Sequence, residues 1–166
     1  VAERHGFPGL FCLVTDRGPE LGKKMSADVS FPLISATGSC RMGRSVSETV
    51  GKRLGRSILE LGGNNAMIVL EDAELELAVP SAVFGAVGTS GQRCTSLRRA
   101  LVHERLFDQF SEKLVSAYKQ IRIGDPLSPE TLMGPLIHQD AVKGYEQALV
   151  KIKEQGGEIV CGGSRQ

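Results

Sequence analysis

Pro32-Leu33-Ile34-Ser35-Ala36, then Thr37-Gly38-Ser39, then Met42, Val46, Val50 and Leu54 at four-residue steps, then Ser57-Ile58-Leu59-Glu60-Leu61: this succession decides the fold class. The first string is a short apolar run with a β-branched residue, as a buried strand requires. Thr37-Gly38-Ser39 supplies turn and capping residues at the start of a helix. The four-residue repeat of apolar side chains draws one stripe along that helix. The last string is a second strand. Strand, helix and strand in this order predict a parallel α/β sheet.

The same alternation extends outward. Phe11 to Thr15 reads as an earlier buried strand, followed by Gly18-Pro19-Glu20-Leu21-Gly22, where Pro19 suits a first helical position. Beyond Gly62-Gly63, Ala66 to Leu70 predicts a strand and Leu75 to Val87 a helix despite Pro80. Ala100 to His103 is a further strand, and Leu106 to Ile121 carries Phe107, Phe110, Leu114, Tyr118 and Ile121 at helical spacing. Gly124 to Pro135 reads as a loop. A helix follows with Ala141, Tyr145, Ala148 and Ile152 inward, and Glu158 to Cys161 is a last short strand. The first residue is Val1, and the last string is Gly162-Gly163-Ser164-Arg165-Gln166, so the expectation is an internal piece of a longer chain.

Bulk properties exclude several classes. The net charge of +1 is spread without a basic cluster, which argues against capture of nucleic acid. No apolar run approaches the length of a membrane span, so no membrane partner is expected. Cys12, Cys40, Cys94 and Cys161 are widely spaced, as are His5, His103 and His138. This pattern predicts reduced thiols, a cytoplasmic setting and no metal site.

Two strings carry chemistry. Gly88-Thr89-Ser90-Gly91-Gln92-Arg93-Cys94-Thr95-Ser96 is nearly devoid of apolar bulk, so it keeps a thiol accessible, and the cation of Arg93 beside it favours a thiolate. Glu60-Leu61-Gly62-Gly63 sets a carboxylate at a strand end, with two glycines that let the side chain swing. A thiol nucleophile with a mobile carboxylate base is equipment for making a thioester and hydrolysing it. A third element is weaker. Gly18 to Gly22 and Gly38-Ser39 stand at strand-to-helix junctions, where free helix N–H groups favour phosphate. No G-x-G-x-x-G accompanies them.

In their order and spacing, Thr37-Gly38-Ser39, Glu60-Leu61-Gly62-Gly63 and Gly91-Gln92-Arg93-Cys94 resemble the NAD(P)-dependent aldehyde dehydrogenase superfamily. The resemblance covers nearly the whole chain, which corresponds to about a third of a family member. Glu60 to Ala66 and Gly91 to Ser96 look more narrowly like the antiquitin-like branch. That branch oxidises α-aminoadipate semialdehyde, in equilibrium with piperideine-6-carboxylate, in lysine breakdown. Departures are Ala36 where many relatives carry Phe, Cys40 for a common Thr, and Asp16 for a frequent Gly.

The resemblance implies an aldehyde-dehydrogenase-like α/β fold with two partial, parallel Rossmann-type sheets. Residues 1–61 would be the C-terminal part of the NAD(P)-binding domain and 62–166 the N-terminal part of the catalytic domain. It further implies Cys94 as nucleophile and Glu60 as general base. Gly38, Ser39 and Met42 would lie on the pyrophosphate side of NAD, with NADP as an alternative. Gly18 and Gly22 would line the adenosine side, the Leu61 carbonyl would meet the nicotinamide, and Gly62 would give Glu60 its freedom. Arg93 and Thr95 would face a small aldehyde substrate, and family members assemble as dimers or tetramers. Two other functions stay open: a CoA-acylating semialdehyde dehydrogenase, against which Glu60 argues, and a non-catalytic scaffold, which an intact Cys94 and Glu60 disfavour.

Overall fold

A computed structural model describes residues 3–165. The chain divides into two compact units, one ending at Leu61 and the other beginning at Gly62. The first contains α1 (Glu20–Ala27), β1 (Leu33–Gly38), α2 (Cys40–Lys52) and β2 (Arg56–Leu61). β1 and β2 run parallel, in register from Leu33 opposite Arg56 to Gly38 opposite Leu61. The helix that links them closes onto the pair. Val50 is 1% exposed, and buried Gly43 lies where any β-carbon would come within 2.5 Å of the Leu61 methyl groups. Glycine there is what lets α2 approach β2. Arg53 then ties the end of α2 to what precedes β1. Its Nε donates to the Ser26 carbonyl at 2.9 Å and its Nη2 to the Phe31 carbonyl at 2.7 Å.

The second unit contains β3 (Asn65–Val69), α3 (Leu75–Val87), a 3₁₀ turn (Gly88–Gly91), β4 (Leu97–Val102), α4 (Glu104–Tyr118) and α5 (Gln139–Glu154). β3 and β4 are also parallel, with a register shift between Asn65 and Ala66. Val69, Leu75, Val79, Ala82 and Phe110 form its core. Lys113 of α4 donates to Glu76 of α3 at 2.6 Å and holds that carboxyl below its ordinary value, first through the hydrogen bond and then through charge. Pro80 sits within α3 on its exposed side, while Val79 and Ala82 are buried.

The parallel α/β class thus holds, and the strand–helix–strand reading of 32–61 matches the observed elements. Four expectations need correction. Phe11 to Thr15 forms no strand, and Phe11 and Leu13 are exposed, since no described strand offers a ladder to it. Glu158 to Cys161 is irregular for the same reason. Leu54 does not belong to the stripe: α2 ends at Lys52, and Leu54 lies in the closing turn at φ 57°, fully in solvent. Finally, α5 forms, but it buries no residue; Tyr145 and Ile152 of its supposed inner face are 49% and 40% exposed.

Phe110 is the aromatic at the centre of the second unit. Phe110→Ala is expected to lower unfolding free energy in the full-length protein by about 3–5 kcal/mol, read by urea denaturation. A loss under about 1 kcal/mol, the size of an ordinary surface change, would contradict this packing.

Candidate active site

In the first unit, Ser39 follows β1 and caps α2. Its backbone is extended and its Oγ accepts the Met42 N–H at 3.1 Å. Beside it opens a cleft of about 650 Å³, lined by Gly18, Gly22, Ser39 and Met42 among others. Both helix starts, Pro19 before α1 and Ser39 before α2, border this cleft. At Gly18 and Gly22 an added β-carbon would meet nothing within 4 Å, so both glycines face open space. At Gly38 it would come within 2.6 Å of the Met42 methyl, so Met42 folds back over that glycine. Lys23 and Arg41 also line the cleft. The two helix starts, the cation of Arg41 and the apolar side chains of Ile34, Ala36 and Val46 suit an anionic group joined to an aromatic ring, while the Lys23 ammonium is paired with Glu20 at 2.8 Å.

Leu61 does not line this cleft; its side chain packs on Gly43 of α2. Strand alternation puts Glu60 on the face opposite Leu59 and Leu61, paired with Thr37 across the ladder. Its side chain is exposed.

In the second unit, Cys94 sits at the tip of a turn whose backbone is tied on every side. The Arg93 N–H donates to Ser96 Oγ at 3.1 Å, and the Ser96 N–H donates to the Arg93 carbonyl at 3.2 Å. Ser96 is 1% exposed, while Cys94 and Thr95 are exposed. Asn65, at the start of β3, donates from Nδ2 to the Cys94 carbonyl at 2.6 Å and to the Ser96 carbonyl at 3.0 Å. Upstream, Thr89 and Ser90 hold φ values of 54° and 55°, a region side chains seldom occupy. That bend is anchored to the 134–137 segment. Ser90 Oγ donates to the Gly134 carbonyl at 2.7 Å, Gln92 Nε2 donates to the Pro135 carbonyl at 3.4 Å, and Gln92 Oε1 accepts the Ile137 N–H at 2.8 Å.

The Arg93 guanidinium turns back onto α3. Nη2 donates to the carbonyls of Phe84 at 2.8 Å and Gly85 at 3.4 Å, over the Phe84 ring at 5.0 Å. For Arg93 to reach a substrate tail, it must first leave those carbonyls.

Of the residues expected from sequence, Gly18, Gly22, Ser39 and Met42 meet in one cleft. Arg93, Cys94 and Thr95 share one turn, and Glu60 and Leu61 stand at the end of β2 with Gly62 next. Four contributors went unread: Gly43, Asn65, Gln92 and Ser96. The last three lie inside or beside the quoted strings, yet only the folded contacts give them work. Among the described residues, no three His, Cys, Asp or Glu side chains group as metal ligands. His103 and His138 instead cap α4 and α5, accepting N–H groups of Arg105 and Ala141 at Nδ1. No two of the four cysteines form a disulfide, and no described helix is long and apolar enough to cross a membrane.

Comparison with known proteins bears on these arrangements. The sequence profile of the aldehyde dehydrogenase family matches residues 1–166. Alpha-aminoadipic semialdehyde dehydrogenase of Rattus norvegicus is 47% identical over 163 residues, which is 98% of this chain and 30% of that protein. Aldehyde dehydrogenase family 7 member B4 of Arabidopsis thaliana is 46% identical over 163 residues, covering 98% and 32%. The chain therefore spans about a third of the length of these curated relatives. Betaine aldehyde dehydrogenase of Staphylococcus aureus, solved in complex with NAD+, superposes with a TM-score of 0.93 at 33% identity, covering 99% of this chain and 33% of that one. An NADP-dependent enzyme of E. coli superposes with a TM-score of 0.93 at 36% identity, covering 99% and 34%.

The Ser39 cap joins the cleft to the stability of α2. Ser39→Ala should cost about 1 kcal/mol in urea unfolding of the full-length protein. An unchanged midpoint and slope would show that the Met42 N–H has another acceptor.

Proposed function

Because this chain belongs to the aldehyde dehydrogenase family, we propose that the protein containing it oxidises a small aldehyde to the carboxylic acid with NAD or NADP. The observation that carries this is Cys94: an exposed thiol on a turn whose backbone is pinned from both sides. The Cys94 thiolate adds to the aldehyde carbon, and the carbonyl oxygen becomes an oxyanion that the Cys94 backbone N–H stabilises. The tetrahedral carbon gives up its hydride, for which bound NAD or NADP would supply the acceptor, and a thioester to Cys94 remains. Glu60 then takes a proton from water, the resulting hydroxide attacks the thioester, and the thiolate departs as the carboxylic acid forms.

Gly38, Ser39 and Met42 hold the pyrophosphate side of the cofactor, with Gly18 and Gly22 toward the adenosine. The cleft of about 650 Å³ between two helix starts supports this placement. Leu61 offers its carbonyl to the nicotinamide, and Gly62 lets Glu60 move. In this reading residues 1–61 are the C-terminal part of the cofactor domain and 62–166 the N-terminal part of the catalytic domain. The parting of two compact units after Leu61 is consistent with it.

The substrate is α-aminoadipate semialdehyde, an assignment supported by the 47% identity to the rat protein named for that activity. Arg93 and Thr95 flank the nucleophile on the substrate side, and Arg93 reaches a charged tail by releasing α3. Water rather than CoA takes the acyl group, since Glu60 stands ready as a base. The widely spaced cysteines suit a reducing cytoplasm, and the full-length protein works as a dimer or tetramer.

The test follows absorbance of reduced nicotinamide in the full-length protein, with α-aminoadipate semialdehyde beside plain aliphatic and aromatic aldehydes. The aminoadipate substrate should be preferred by about tenfold or more in kcat/KM, and Cys94→Ala should abolish turnover. Glu60→Gln should give a burst of one equivalent followed by slow release. Full steady-state turnover in either variant would overturn the assignment, and a preference for other aldehydes would discard the substrate alone.

A further inference from the structure

We infer that Asn65 is a positioning residue for Cys94, acting through the backbone of the nucleophile rather than on the substrate. The inference rests on the aldehyde-oxidation reading above. Asn65 is the first residue of β3, separated from the Cys94 turn by 29 positions in sequence, yet its amide nitrogen donates to two carbonyls of that turn. One is the carbonyl of Cys94 itself, at 2.6 Å; the other is that of Ser96, at 3.0 Å. A single NH₂ group so placed fixes the peptide plane after Cys94. The plane before Arg93 is fixed separately, by the Arg93 N–H on Ser96 Oγ. With the Arg93 carbonyl also held by the Ser96 N–H, little backbone rotation is left to Cys94, so its Cβ and N–H keep a constant relation. That relation is what simultaneous attack and oxyanion stabilisation demand.

The surroundings of Asn65 hold it in turn. The register of the β3–β4 ladder shifts between Asn65 and Ala66, so Asn65 pairs with Leu97 while Ala66 pairs with Arg99. Such a shift re-aims a side chain at a strand end. Arg99 Nη2 donates to the Asn64 carbonyl at 2.9 Å, which fastens the residue before it. The amide oxygen of Asn65 lies where a β-carbon on Gly63 would come to 3.1 Å. Gly63 therefore has a second task besides flexibility: any side chain there presses on the amide that holds the turn.

The chemistry of the amide makes the role separable from packing. Asn65→Asp keeps the shape but presents a carboxylate oxygen to two carbonyl oxygens, and Asn65→Ala removes the donor altogether. In the full-length protein, each should lower kcat by about 10–100-fold, with KM for the cofactor within about twofold, because the cofactor cleft belongs to the unit ending at Leu61. Hydrogen exchange should quicken in the peptide covering Arg93 to Ser96 and stay unchanged in β4 and α4. Gly63→Ala, which keeps every hydrogen-bonding group, should lower kcat by a few-fold and serves if the Asn65 variants fold poorly. Wild-type kcat in Asn65→Asp, or a rate loss that tracks general loosening of β4 and α4, would reduce Asn65 to a packing residue and overturn the proposal. Unaltered kcat in Gly63→Ala would count against it likewise. If the wild-type protein shows no Cys94-dependent cofactor reduction, the functional reading itself has failed, and this is seen before any Asn65 variant is measured.

Discussion

A nucleophile has to be open to its substrate and yet held in one geometry, and these requirements oppose each other. The hydrogen bonds around Cys94 reconcile them by restraining the backbone and leaving the side chain in solvent. Asn65 and Ser96 restrain the turn from below, while Ser90 and Gln92 anchor the approach to it on the 134–137 segment. Two consecutive left-handed residues, Thr89 and Ser90, cost on the order of 1–3 kcal/mol each. Those bonds to Gly134, Pro135 and Ile137 are what offset the strain. Arg93 adds a further tether by capping the carbonyls at the end of α3, over the Phe84 ring.

The first unit solves a different problem with similar means. The strand–helix–strand crossover brings two helix starts and an apolar surface to one cleft, the arrangement on which the proposed cofactor placement rests. The geometry depends on how closely α2 can lie on β2, and that closeness is set by Gly43 against Leu61. A larger residue at 43 would lift the helix, and with it the Ser39 cap that aims the first turn at the cleft. The same β2 ends in Glu60 and Leu61, so the packing that shapes the cleft also fixes where the carboxylate emerges.

Much of this was legible in the sequence, because helices satisfy their own backbone and announce themselves by spacing. α2 and α4 form where their apolar spacing placed them, although Leu54 and Phe107 stay in solvent, and even Pro80 did not hide α3. Strands are harder, since an apolar run supplies composition but not a partner. Phe11 to Thr15 and Glu158 to Cys161 have the composition and no ladder, so they remain irregular. The face assigned to α5 failed for a related reason: a stripe states which residues prefer burial, not what will cover them. Cys94 stood out because its thiol lies among small polar residues, and Glu60 because two glycines follow shortly after it. Asn65 could not, since its role exists only once the start of β3 meets a turn 29 positions away.

In the proposed reaction Cys94 carries the acyl group. The most direct measurement is to mix full-length Glu60→Gln protein with aldehyde and NAD, quench with acid within one turnover, and map the adduct by peptide mass spectrometry. An acyl increment, labile to hydroxylamine, is expected on the peptide containing Cys94 and on no other cysteine peptide. An increment on Cys12, Cys40 or Cys161, or cofactor reduction with no acyl adduct at all, would contradict it.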